Sequence, residues 1–120
     1  MLREYRPFYQ EYVWMLPSGK VDKETDVAVA AQRELQEETG FRAASLVPYF
    51  SARHTERVAY RSHVFLAKEL TPDPLPQDAE ELIEVHPLSL DEALEHVLKT
   101  EVTHSITALS LLRLQKDKKN

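Results

Sequence analysis

From Tyr12 to Leu16 the chain runs YVWML, an uncharged apolar and aromatic stretch that stops at Pro17. Such a run predicts a buried strand ending in a loop, and PSGKVDKE supplies that loop. In DVAVAAQRELQEET the apolar residues return at helical spacing, with Thr25 or Asp26 placed as N-cap and Gly40 as the residue after the C-cap. Phe41 to Phe50 predicts a strand broken at Pro48, and Tyr60 to Leu70 a stronger one centred on Val64, Phe65, Leu66 and Ala67. Between them SARHTERVA is polar and predicts a hairpin or loop, while TPDPLPQDAEE, rich in proline and acid, predicts an exposed loop. ELIEVHPL predicts another strand. Ser89 then caps LDEALEHVL, a helix whose apolar face is Leu90, Ala93, Leu94 and Val97, and a last helix starts near Thr103, runs through ITALSLLRL and ends in a charged tail over 115–120. One strand is expected before the first helix, then several strands, then two helices. That order predicts an α/β or α+β fold, a mixed sheet flanked by helices, in a single domain over residues 1–120.

Composition narrows the chemistry. At 120 residues and 13.9 kDa the chain matches one small domain able to bury a core without staples. A net charge of -5 without a basic stripe argues against a nucleic-acid duplex as partner. The absence of cysteine excludes disulfides, zinc–thiolate sites and a cysteine nucleophile, and it fits a reducing compartment. No apolar run approaches the roughly 20 residues of a membrane span, and the first residues lack signal-peptide character, so a cytoplasmic protein without a membrane partner is expected.

One stretch stands against this ordinary background. RELQEETGF places Glu34, Glu37 and Glu38 three and four residues apart on a helix, where like charges repel. Their carboxylates share a patch while Ala28, Ala31 and Leu35 are expected to point into the core. Clustered hard oxygens suit Mg²⁺ or Mn²⁺ beside waters and substrate phosphates. A solvated helix face has the same spacing, so the pattern leaves both readings open. The five histidines are scattered without ligand spacing, and Trp14, within its strand, is expected in the core.

The stretch PSGKVDKETDVAVAAQRELQEETGF resembles the Nudix box, G-x5-E-x7-R-E-U-x-E-E-x-G-U with U aliphatic or aromatic. Gly19, Arg33, Glu34, Leu35, Glu37, Glu38, Gly40 and Phe41 take their places without a gap, and the first glutamate of the pattern falls on Thr25, with Glu24 beside it. The resemblance implies an α/β/α sandwich and metal ligands at Glu34 and Glu38, with Glu37 beside them and the Ser18 backbone carbonyl completing the shell. It implies Mg²⁺- or Mn²⁺-dependent hydrolysis of a nucleoside diphosphate derivative, water attacking a phosphorus of the pyrophosphate while a carboxylate takes its proton.

Upstream, EYRPFYQEYVWMLPSGK resembles the ADP-ribose and nucleotide-sugar pyrophosphatase branch, with Tyr5, Arg6, Pro17 and Ser18 in the matching places. The resemblance assigns Arg6, with Tyr5, to the substrate's phosphates. Downstream, EELIEV resembles the stretch that carries a catalytic glutamate, here Glu81, so the catalytic carboxylates implied are Glu37, Glu38 and Glu81. Tyr49, Phe50 and Arg53 are further candidates for a substrate pocket. Met15 stands where the branch has a glutamate, and SARHTERVA lacks its marker proline, so a nucleotide sugar or another dinucleotide-like pyrophosphate is as much implied as ADP-ribose. The start of the chain is shorter than the branch's, with strands before the box missing, which suggests either a shortened chain or a sheet completed through a partner in a homodimer. The competing expectation is a catalytically silent module of the same fold that binds a nucleotide or a protein.

Overall fold

The computed structural model describes residues 1–21, 26–53, 61–77 and 82–118. Its described elements are β1 (Leu2–Arg6), β2 (Glu11–Met15), α1 (Val27–Thr39), β3 (Phe41–Ala52), β4 (Ser62–Pro72), β5 (Ile83–Val85), α2 (Leu90–Lys99) and α3 (Ser105–Lys118). This is the α+β class that the pattern predicts, and every ladder among the described residues is antiparallel. The chain divides into two compact units, Met1–Leu16 with Ala79–Asn120, and Pro17–Asp78.

In the first unit the strands are ordered β2-β1-β5. Strand β1 corrects the expectation of a single strand before the first helix. LREYR has no apolar alternation to announce it, yet it forms the middle strand because its charges find partners in the sheet. Arg3 bonds Glu84 at 3.2 Å and lies 4.4 Å from the centre of the Tyr12 ring, and Arg6 pairs with Glu4 at 3.4 Å. Leu2, on the opposite side of the strand from Arg3, is buried. A turn over Pro7–Gln10 joins β1 to β2, closed by Tyr9 and Gln10 N–H groups donating to the Arg6 carbonyl at 3.0 and 2.9 Å.

Helices α2 and α3 supply the core of this unit. Ser89 and Glu92 form a reciprocal capping box, and the expected face of α2 buries Ala93, Leu94 and Val97 against Leu111, with Leu90 partly buried beside them. Trp14 packs on this cluster as expected, stacked on His96 at 4.4 Å and edge-on to His86 at 5.1 Å. Thr107 is fully buried, accepts the Leu16 N–H at 3.0 Å and lies 2.8 Å from His104 Nδ1. Thr107→Val keeps the shape and removes the acceptor, so urea unfolding should show a loss of about 1–3 kcal/mol, the cost of stranding a backbone N–H. An unchanged midpoint would refute the assignment.

Glu84 is held below its ordinary carboxyl value of 4.5, first by its hydrogen bond with His86 and then by Arg3. A depressed carboxyl pKa stabilises the fold above the unfolded value, and that contribution disappears as pH falls through the folded one. Carboxyl NMR should therefore give Glu84 a midpoint below 4.5, and His86→Ala should raise it. The same midpoint in the variant would remove His86 as the cause.

The second unit consists of α1, β3 and β4. Asp26 is the N-cap, its side chain accepting the Ala28 N–H at 2.9 Å, and Gly40 ends the helix at φ 80°, where its N–H donates to the Gln36 carbonyl. β3 runs on through Pro48 instead of breaking there, because the β3–β4 ladder shifts register between Pro48 and Phe50. The buried residues of α1 are Ala30, Gln36 and Glu38, whereas Ala28, Ala31 and Leu35 are only half-buried. This corrects the expected core face, and the cause is polar. Gln32 Nε2 donates to the Ala43 carbonyl at 2.8 Å while its Oε1 accepts the Ala43 N–H at 3.0 Å, and Gln36 Nε2 donates to the Asp73 carbonyl at 3.0 Å.

Candidate metal and phosphate site on helix α1

The three glutamates sit on one side of α1 as their spacing requires, but they differ in surroundings. Glu38 is 7% exposed, and its Oε1 accepts the Ser18 N–H at 2.7 Å. That bond ties the loop after Pro17 onto the acidic face. Gly19, next in the loop, lies so close to Glu34 that a Cβ built on it would overlap the Glu34 carboxyl group and Cγ. The glycine is therefore explained by close approach, since a side chain there would fill the space the carboxylate occupies.

Arg33 borders the patch from the same helix. Its guanidinium reaches Glu34 at 3.3 Å and Glu37 at 3.9 Å. The i,i+4 pair with Glu37 offsets part of the repulsion among the acids. Glu34 thus meets both the loop glycine and the Arg33 guanidinium, Glu38 accepts a backbone N–H, and Glu37 pairs with Arg33.

The donor set fits a hard divalent cation: anionic carboxylate oxygens, side by side, against a loop without a side chain at its nearest residue. Among the described residues no three acidic or histidine groups are already gathered as a metal-holding cluster. As arranged, a cation at Glu34 and Glu38 competes with Arg33 and with the Ser18 N–H for the same oxygens. Ser18 meets this face through its N–H, which donates to Glu38.

Other expected residues are placed as follows. Tyr5 is half-buried in β1 with its ring edge-on to Tyr12 at 5.5 Å, and Arg6 is exposed at the end of β1; both belong to the first unit. Arg53 is exposed directly after β3. Tyr49 and Phe50 lie at the register shift and line an open hollow of about 340 Å³ with Phe65 and His63; Arg53 is not among its lining residues. Glu81, Glu24 and Thr25 fall outside the described residues. Sequence reasoning did not single out Gln32 and Gln36; two glutamines four apart facing away from an acidic patch were the available signal.

A family model described as NUDIX domain matches residues 1–109. Among curated proteins, the chain is 32% identical over 121 residues to ADP-ribose pyrophosphatase of Bacillus subtilis (strain 168), covering 96% of this chain and 64% of that protein. It is 30% identical over 118 residues to the methanol dehydrogenase activator of Bacillus methanolicus, again 96% of this chain and 64% of the relative. To the CMP-5'-(N-acetyl-N-hydroxy-3-aminopropyl)phosphonate hydrolase of Streptomyces rubellomurinus (strain ATCC 31215) it is 32% identical over 113 residues, 93% of this chain and 55% of that one. The chain thus spans less than two thirds of the length of each of these relatives. A crystal structure of an ADP compounds hydrolase superposes with a TM-score of 0.79 at 24% identity, over 99% of this chain and 66% of that one, which shows a shared fold.

Proposed function

The chain belongs to the NUDIX domain family, and from that premise we propose that it hydrolyses the pyrophosphate bond of a nucleoside diphosphate derivative, of the ADP-ribose or nucleotide-sugar type, with a divalent cation. One observation carries the reading: the Ser18–Gly19 loop is fixed onto the acidic face of α1 by the bond from Ser18 N–H to Glu38 and by the fit of Gly19 against Glu34. A solvated helix face needs no such loop. The relatives' names support the substrate class without narrowing it, since one acts on ADP-ribose and another on a CMP-linked phosphonate.

In this reading Glu34 and Glu38 hold the cation, with Glu37 beside them. When bound, the cation neutralises phosphate oxygens and lowers the pKa of a coordinated water. The Ser18 N–H orients the Glu38 carboxylate, and Gly19 leaves room for that of Glu34. Arg33 balances the acid charge and holds Glu34 and Glu37 in place. A carboxylate, Glu37, Glu38 or Glu81, accepts the proton of the attacking water, while Arg6 binds phosphate as a fixed fork, with Tyr5 and Arg53 as further substrate contacts. Mg²⁺ as the working cation, a cytoplasmic setting and a homodimer belong to the same proposal.

The test is a panel of ADP-ribose, nucleotide sugars and dinucleoside polyphosphates with Mg²⁺ or Mn²⁺, products identified by mass. Release of a nucleoside monophosphate from at least one member is expected. Folded protein that releases none sinks the reading, and nucleotide binding without turnover at saturating metal would replace it with a silent binding module.

A further inference from the structure

Helix α1 carries a second polar face that the catalytic reading does not use. At about 100° per residue, Gln32 and Gln36 lie about 40° apart, and the midpoint between them is about 160° around the axis from that between Glu34 and Glu38. They sit on the side away from the acids. Gln32 satisfies both the N–H and the carbonyl of Ala43, a residue 2% exposed, so its amide pairs with β3 as another strand would. Gln36, itself 7% exposed, bonds the Asp73 carbonyl beyond β4.

Apolar packing is non-directional and lets a helix roll among nearly equal arrangements, whereas paired hydrogen bonds to fixed backbone groups do not. We propose that Gln32, seconded by Gln36, is a positioning residue that fixes the roll of α1 and thereby the carboxylates of Glu34 and Glu38. The lever is short but sufficient. With side chains about 5–6 Å from the axis, a roll of about 10° displaces a carboxylate by about 1 Å. A misplacement of that size at a reacting centre costs up to about 100-fold in rate. This inference rests on the metal-site reading for its functional consequence, but its geometric part stands without a metal, because the Ser18 N–H reports where Glu38 lies.

The experiment compares wild type, Gln32→Met and Gln32→Asn. Methionine keeps length and volume and loses both bonds, whereas asparagine keeps the amide and withdraws it by one methylene. In Gln32→Met the Ser18 amide resonance should move away from its wild-type position, and Mn²⁺ affinity, read by electron paramagnetic resonance, should fall about tenfold or more at a temperature where the protein is folded. Gln32→Asn should move both in the same direction. A purely structural role lowers the melting temperature and leaves the Ser18 resonance and the Mn²⁺ affinity of the folded protein unchanged.

Folded Gln32→Met with the wild-type Ser18 resonance and Mn²⁺ affinity overturns the proposal. Where Gln32→Met fails to fold, Gln32→Asn decides: the wild-type Ser18 resonance and Mn²⁺ affinity overturn the proposal, and a moved resonance with weakened affinity supports it. Wild-type protein that binds no Mn²⁺ would refute the metal-site reading instead, and the Ser18 resonance would still decide the positioning role.

Discussion

Glu38→Gln should lower metal-dependent turnover by about 100-fold or more while leaving unfolding by urea nearly unchanged. The kinetic part follows from removing an anionic ligand from a cation that stabilises the transition state by several kcal/mol, each factor of ten in rate being about 1.4 kcal/mol. The stability part follows from burial. At 7% exposure Glu38 is not a surface acid that can be changed freely; its Oε1 receives the Ser18 N–H, and the glutamine carbonyl oxygen can accept that bond in its place. Glu38→Ala separates the two effects. It should be as inactive, yet it leaves the Ser18 N–H without its acceptor and should cost about 1–3 kcal/mol besides. Wild-type turnover in Glu38→Gln would show that the acidic face is not the working site, and equal stability of the two variants would show that the Ser18 bond contributes nothing.

The difference between Glu38 as an acid in a list and Glu38 as a buried acceptor shows what the sequence makes legible. Spacing along one helix is local, so the common patch of Glu34, Glu37 and Glu38 and both caps of α1 follow from periodicity and from Asp26 and Gly40. Which carboxylate is buried depends on a loop twenty residues upstream in the chain, and no periodicity encodes that. Strand β1 escaped for a related reason: its arginines and glutamate look like loop residues until Glu84 and Tyr12 are brought alongside. The same holds for α1, where the expected apolar core face is replaced by two glutamine amides whose partners, Ala43 and Asp73, lie on other elements. Pro48 looks like a strand break in the sequence because the register shift that accommodates it is a property of the β3–β4 pair.

Gly19→Ala tests the loop side of the site and should give the opposite of an ordinary glycine substitution. Among the described residues Gly40 is the glycine at positive φ, so alanine at Gly19 meets no backbone penalty there. What it meets is Glu34, with the added Cβ overlapping the carboxyl group and Cγ. Because those atoms end a flexible side chain, the protein can relieve the overlap by swinging Glu34 aside, at a stability cost below about 1 kcal/mol. The same relief carries the carboxylate about 1 Å or more from its place, so Mn²⁺ affinity and turnover should fall about tenfold or more. Gly40→Ala should invert the pattern: at φ 80° the alanine costs about 1–2 kcal/mol of stability, while the nearest side-chain neighbour of its Cβ is Pro74 at 3.8 Å and Glu34 is untouched. Folded Gly19→Ala that binds Mn²⁺ as tightly as wild type would mean that Glu34 does not hold the cation from where it stands, and the fit of loop to helix would then be structural alone.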